Sequence, residues 1–153
     1  MAIDTGERRV GVAICDARQV LATPLSVLTR RSKAEDFQRL GHIARENEIV
    51  GLLVGLPLNA DGSAGTQARQ AARYGHRLAS SLALPVILWD EYGSSQEAAR
   101  RLAVTGRRSN RAHIDAEAAA IILQDYLNRA SIAAVQGQTE ETRKQVDKEQ
   151  GNK

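Results

Sequence analysis

The chain has 153 residues, 42% of them hydrophobic and 25% charged, with a formal net charge of +3 and a single cysteine, Cys15. That is one domain's length with enough apolar residues to bury a core, and its balance is that of a globular rather than a fibrous or collapsed polar chain. One cysteine excludes an internal disulfide and a cysteine-built zinc site, which fits a reducing, cytoplasmic setting in which Cys15 is a small buried residue.

No membrane span or secretory leader is expected, because the longest apolar run, residues 49–58, is strand-length and broken by glycine. The opening "MAIDTGERRVGVA" reads as a short strand ending in an acid at Asp4, a tight turn at Thr5-Gly6, and a returning strand from Val10 to Ile14. An acid at that point either closes an Asx turn ahead of Gly6 or holds a cation. Next, "VLATPLSVLT" carries Val20, Leu21, Leu25 and Val27 past Pro24, the pattern of an edge strand. Ser32 and Glu35 make an S-x-x-E capping pattern ahead of Phe37, Leu40, Ile43 and Ala44 at helical spacing. "EIVGLLVGLPLN" is an almost unbroken apolar run, suited to a strand covered on both faces.

"LNADGSAG" follows as a loop with a turn signal at Asp61-Gly62. A second helix is marked by the small residues Ala68, Ala71, Ala72, Gly75 and Ala79 with Leu78 and Leu82. "LPVILWDE" is expected to be another buried strand, ending in Asp90-Glu91. Ser94 and Glu97 repeat the capping pattern over a short helix to about Val104, and a last helix is expected from about Arg111 to Arg129. Beyond it, residues 131–153 hold few apolar residues and no aromatic ones, so a polar, disordered tail is expected after a folded domain at 1–130.

This order predicts an α/β fold: a mixed sheet with antiparallel opening strands and then helix-linked parallel strands, flanked by helices. In such sheets polar chemistry collects at the carboxyl ends of strands, where Asp4 and Asp90-Glu91 fall. Asp115, near the start of the last helix, shares a face with Ala119, Ile122 and Tyr126, so it points toward the sheet. A carboxylate there needs a cation or a donor. Acids from distant parts of the chain, with no histidine or cysteine among them, suit Mg²⁺ or Mn²⁺. The other acids nearby, Asp16, Glu117 and Asp125, read as solvated, and His42, His76 and His113 lack ligand spacing.

Positive charge gathers in "ARRLAVTGRRSNRAH", where Arg100, Arg101, Arg107, Arg108 and Arg111 have no acid between them, and again at Arg8 and Arg9 beside Asp4. Arginines so placed suit phosphates and salt-dependent binding of nucleic acid. "TRRSK", residues 29–33, reads as a solvated helix start. Aromatic residues make up only 3% of the chain, which argues against a base-stacking platform.

Four stretches in order, "DTGERRVGVA", "GLPLNADGSAG", "DEYGSSQEA" and "HIDAEAAAIILQDYL", resemble the pre-16S rRNA nuclease family known as YqgF or RuvX, Holliday junction resolvase-like proteins of the RNase H-like superfamily. The resemblance covers about residues 2–129. It implies an RNase H-like nuclease domain in which Asp4, Glu91 and Asp115 are catalytic and hold two divalent ions, Mg²⁺ or Mn²⁺. Beside these acids the clustered Arg8, Arg9, Arg107, Arg108 and Arg111 are expected as nucleic-acid contacts; the resemblance implies pre-rRNA or branched DNA as partner, and the sequence leaves monomer and homodimer both open. The implied activity is phosphodiester hydrolysis in 5′-end maturation of pre-16S rRNA. The alternatives are Holliday junction resolution and a non-catalytic nucleic-acid-binding module. Two departures stand out: Tyr92-Gly93-Ser94-Ser95 replaces the family's usual R-x-T-T after the acidic strand end, and members carry several more residues before Asp4, so a start upstream of Met1 is expected.

Overall fold

The computed structural model describes residues 1–90 and 111–150, with side chains over 1–90 and 114–133. Five strands form one sheet in the order β3-β2-β1-β4-β5. Strand β1 (Ala2–Thr5) runs antiparallel to β2 (Arg9–Cys15), and β2 antiparallel to β3 (Ala22–Thr29). On the other side β1 pairs in parallel with β4 (Leu52–Leu56), and β4 in parallel with β5 (Val86–Asp90). Helices α1 (Lys33–Glu46) and α2 (Thr66–Leu82) make the crossovers, and α3 spans Arg111–Gln150. The expected mixed sheet is therefore present, antiparallel first and helix-linked parallel afterwards.

Strand alternation sorts the core into two unequal layers. Ile3, Val10, Val12 and Val54 point to one face and pack with Leu40, Tyr74 and Leu78 from α1 and α2. The other face carries Ala2, Ala13 and Leu53 against Ala119, Ile122, Leu123 and Leu127 of α3. Large β-branched residues thus separate the sheet from α1 and α2, whereas alanine and glycine let α3 lie close. On the first face α2 also approaches tightly at one point: a methyl group on Gly75 would sit 2.8 Å from Val54 Cγ2.

Local signals explain the element boundaries. Ser32 caps α1, its hydroxyl accepting a hydrogen bond from the Glu35 amide at 3.2 Å. Pro24 lies on the edge strand β3, opposite Ala13 and next to a register shift between Val12 and Ala13, where a missing N–H does least harm. Helix α2 ends at Ala83, which takes the left-handed conformation at φ 53° and donates its amide back to the last turn.

Three expectations change. Strand β5 was expected to be buried, but it is an edge with one described neighbour, and Ile87 is 43% exposed. The helix that starts at Arg111 does not stop at Arg129 as expected, and continues through Gln150. Its later sequence is rich in alanine, glutamine, glutamate, lysine and arginine and has no proline, a composition that favours helix. Cys15 is half-buried beside the α3 layer. The expected short helix near Ser94 to Val104 lies outside the described residues.

Candidate active site

The carboxyl ends of β1 and β4 open at the same rim of the sheet. Asp4 is the last-but-one residue of β1 and faces α3, as alternation from the buried Ala2 requires. Its direct cross-strand partner is Gly11 of β2. Directly above Gly11 runs the backbone of Asp115: a Cβ built on Gly11 would stand 2.0 Å from the Asp115 carbonyl oxygen and 2.4 Å from its carbonyl carbon. No side chain fits in that gap. The glycine therefore lets the first turn of α3 descend onto the sheet, which brings Asp115 beside Asp4.

The electrostatics follow from that closeness. Asp4 is half-buried, and its carboxyl is pushed up to about 6, first by loss of solvation and second by the negative charge of Asp115. Asp115 is held by Arg9, whose Nε donates to Oδ2 in a short, charge-assisted ion pair. Arg9 belongs to the strand next to β1, so two acids and one guanidinium form a compact cluster on the α3 face. Helix α3 is fixed over this cluster by Ala116, Ala119 and Ala120, all buried, and farther along by Ile122. The face shared by Asp115, Ala119, Ile122 and Tyr126 does turn inward, with Tyr126 packed edge-on to Trp89 at 5.2 Å between ring centroids.

The donor set suits a hard divalent cation. Two oxygen ligands converge, one of them carrying an unfavourable charge that a bound cation would relieve, and neither histidine nor cysteine takes part. Among the described residues no group of three or more histidine, cysteine or acidic side chains is close enough to hold a metal ion. The third expected acid, Glu91, lies outside the described residues, as do Arg107 and Arg108. Arg111 opens α3, and its side chain is outside the described set. Arg8 is exposed on the β1–β2 turn.

Several other acids have ordinary structural duties. Asp16 accepts the Val20 amide at 3.0 Å, closing the β2–β3 turn. Asp125 accepts Trp89 Nε1 at 3.1 Å and pairs with Arg129 at 3.2 Å. Asp61 accepts both the amide and hydroxyl of Ser63, at 2.9 and 2.6 Å, and these bonds hold its carboxyl below the usual range. Asn59 donates to the same Ser63 hydroxyl at 2.9 Å, so the loop before α2 is built on its own side chains. His42 is exposed and paired with Glu46.

Sequence reasoning missed one acid. Asp36 in the first turn of α1 is 2% exposed, accepts the Arg31 amide at 3.2 Å and has Arg30 Nε 3.8 Å away. The signal was available in the helix periodicity, since Asp36 and Leu40 are four residues apart on the inward face. Asp36 locks the "TRRSK" stretch onto α1.

Comparison with known proteins adds an independent line. The family model described as "RuvX: Holliday junction resolvase" matches residues 1–129. A protein of Anaeromyxobacter sp. (strain K) named "Putative pre-16S rRNA nuclease" is 42% identical over 131 residues, covering 84% of this chain and 96% of that one. One of the same name from Synechococcus sp. is 39% identical over 130 residues, covering 84% and 87%. Among solved structures, Thermus thermophilus RuvC in complex with a Holliday junction substrate superposes with a TM-score of 0.55 at 15% identity, over 84% of this chain and 92% of that one. That likeness is one of fold.

Proposed function

The chain belongs to the RuvX family, and from that premise we propose that it is a metal-dependent nuclease that trims the 5′ end of pre-16S rRNA during ribosome biogenesis. The observation that carries this reading is the descent of Asp115 onto Gly11 beside Asp4, which leaves the Asp4 carboxylate desolvated and facing a second negative charge. A carboxylate held against a neighbouring acid, over a sheet position that lacks a side chain, is a site prepared for cations. The relatives' name supplies the substrate, and residues 1–130 form the catalytic unit.

In this reading Asp4 and Asp115, with Glu91, hold Mg²⁺ or Mn²⁺. When bound, such ions lower the pKa of an attacking water and offset charge on the scissile phosphate and the leaving 3′ oxygen. The chain's own residues prepare the geometry. Asp4 is fixed by the β1 ladder and Asp115 by the α3 contact with Gly11, so neither acid has to be ordered when substrate arrives. Arg9 balances Asp115 while the acids are free of cations and stands next to the phosphate path. Arg8, on the exposed turn, and Arg107, Arg108 and Arg111 supply further cationic contacts. No described helix is long and apolar enough to cross a membrane, and a cytoplasmic place is the one that rRNA maturation requires.

The test is cleavage of end-labelled precursor rRNA and of a four-way DNA junction in Mg²⁺ or Mn²⁺, with the parent compared with Asp4→Asn and Asp115→Asn. Metal-dependent cutting of the rRNA by the parent, lost at least a hundredfold in both variants, is the expected result. Cutting confined to the junction would transfer the activity to DNA resolution. A parent that binds RNA without ever cutting it would leave a non-catalytic binding module.

A further inference from the structure

On the face of the sheet opposite Asp115, the residues that follow Asp4 border a second feature. Thr5, Gly6 and Glu7 form one wall of a cleft of about 440 Å³ that runs between α1 and α2. Four cations line it: Arg30, Lys33, Arg73 and Arg77. Glu7 is the one acid among its lining residues. Arg30 is fixed in place. Its Nη1 donates to the Gly6 carbonyl at 2.9 Å, and its guanidinium lies 5.2 Å above the Tyr74 ring, which Phe37 supports edge-on at 5.2 Å. The other three are exposed, and none is ion-paired with a described residue. Arg73 and Arg77 are four residues apart on α2, so both project from one side of the helix.

Tyr74 itself supplies a second observation. The residue is 6% exposed and lines the cleft, yet its hydroxyl is buried without a hydrogen-bond partner among the described residues. A buried phenol without a partner is uncommon, and this one, acted on by both Asp36 and Arg30 and lining a cleft with four cations, is a donor left for an anionic oxygen.

We propose that this cleft is a phosphate-binding site which grips the nucleic-acid strand beside the catalytic rim, with Arg73 and Arg77 on the backbone and Tyr74 and Arg30 at its floor. The inference rests on the nuclease reading for the identity of the ligand. One chain segment joins the two sites: Asp4 points to the α3 face and Thr5 to the α1 and α2 face of the same strand end. A strand crossing the rim therefore meets carboxylates on one side and cations on the other. The cations hold the substrate without neutralising the acids, because the sheet lies between them. The stretch at residues 29–33 is then more than a solvated helix start, since Arg30 and Lys33 both belong to the cleft.

The experiment uses the full chain in chelator, so that binding is read without cutting. A short end-labelled single-stranded RNA is titrated across a salt series with the parent, Arg73→Ala/Arg77→Ala, Tyr74→Phe, and Arg18→Ala as a charge control on the distant β2–β3 turn. The double variant is expected to weaken binding about tenfold and to reduce the slope of log K against log salt by about 1.4, two phosphate contacts' worth on a single strand. Tyr74→Phe weakens binding severalfold with the slope unchanged, and Arg18→Ala matches the parent. Parental affinity and slope in both cleft variants would overturn the inference. A nucleoside monophosphate that competes fully at micromolar concentration, with no difference between parent and double variant on the RNA, would make the cleft a free-nucleotide site and overturn it too. Cleavage of the RNA in Mn²⁺ separates the two readings. A parent that cuts while the variants bind like it removes the cleft and leaves the nuclease; a parent with the expected binding pattern that never cuts does the reverse.

Discussion

Replacing Gly11 by alanine is the sharpest test of how the site is built. The added methyl would stand 2.0 Å from the Asp115 carbonyl oxygen, whereas ordinary contact begins at 3.4 Å. Relief requires α3 to lift by at least about 1.4 Å, the gap between those two distances, because both sides of the clash are backbone and neither can swing aside. Overpacking a core commonly costs about 1–3 kcal/mol, and a clash that only backbone movement can relieve belongs at or above the top of that range. A loss of about 3 kcal/mol corresponds to a fall in Tm of roughly 10 °C for a domain of this size. Function should fall further than stability, since the lifted turn carries Asp115 away from Asp4. Urea unfolding gives the stability change, and the rise of Tm with Mn²⁺ gives the metal affinity, which should weaken at least tenfold. Gly62→Ala is the matched control: Gly62 has φ +80° with open space around it, so it pays about 1 kcal/mol of strain and keeps its metal response. A Gly11→Ala protein that melts within about 2 °C of the parent and binds Mn²⁺ equally well would show that α3 does not rest on Gly11.

Asp4 gives a pH prediction of definite sign. Its folded pKa, about 6, lies above the ordinary 3.8, so the folded state binds this proton more tightly than the unfolded chain does. Its contribution to stability is therefore greatest below pH 4, declines between about pH 4 and 6, and stays at its minimum above, a total of about 3 kcal/mol. Asp4→Asn should accordingly raise the Tm of the metal-free protein at pH 8 while abolishing metal-dependent cutting; a lower metal-free Tm at that pH would contradict the burial and repulsion argument. Metal affinity in the parent should climb as pH rises through 6, with proton release detectable by calorimetry in buffers of different ionisation enthalpy, and a flat profile from pH 5 to 8 would oppose it. Gly75→Ala should cost about 1–3 kcal/mol through its 2.8 Å contact with Val54 Cγ2, and Val54→Ala in the same chain should recover part of that loss in a double-mutant cycle. Ser32→Ala should cost about 1 kcal/mol by removing the cap of α1, read by urea unfolding, with cutting by the Asp4 and Asp115 site unaltered.

The sequence by itself determined what local chemistry controls. Pro24 as the mark of an edge strand and the Ser32 cap each act within a few residues, and both were legible without coordinates. The placement of Asp115 toward the sheet was legible too, because helical periodicity fixes which residues share a face. The end of α3 was placed too early for a related reason: low hydrophobicity in a segment does not forbid a helix. Tertiary structure decided everything that depends on pairs remote in the chain. Strand order made β5 an edge, and no pattern within "VILWD" reveals how many neighbours it has. The opposition of Gly11 to both Asp4 and Asp115 sets residues more than a hundred positions apart against one another, and with them the Arg9 ion pair and the raised pKa of Asp4. Burial and Coulomb energy depend on distance in space, which the one-dimensional spacing of residues encodes only through the fold.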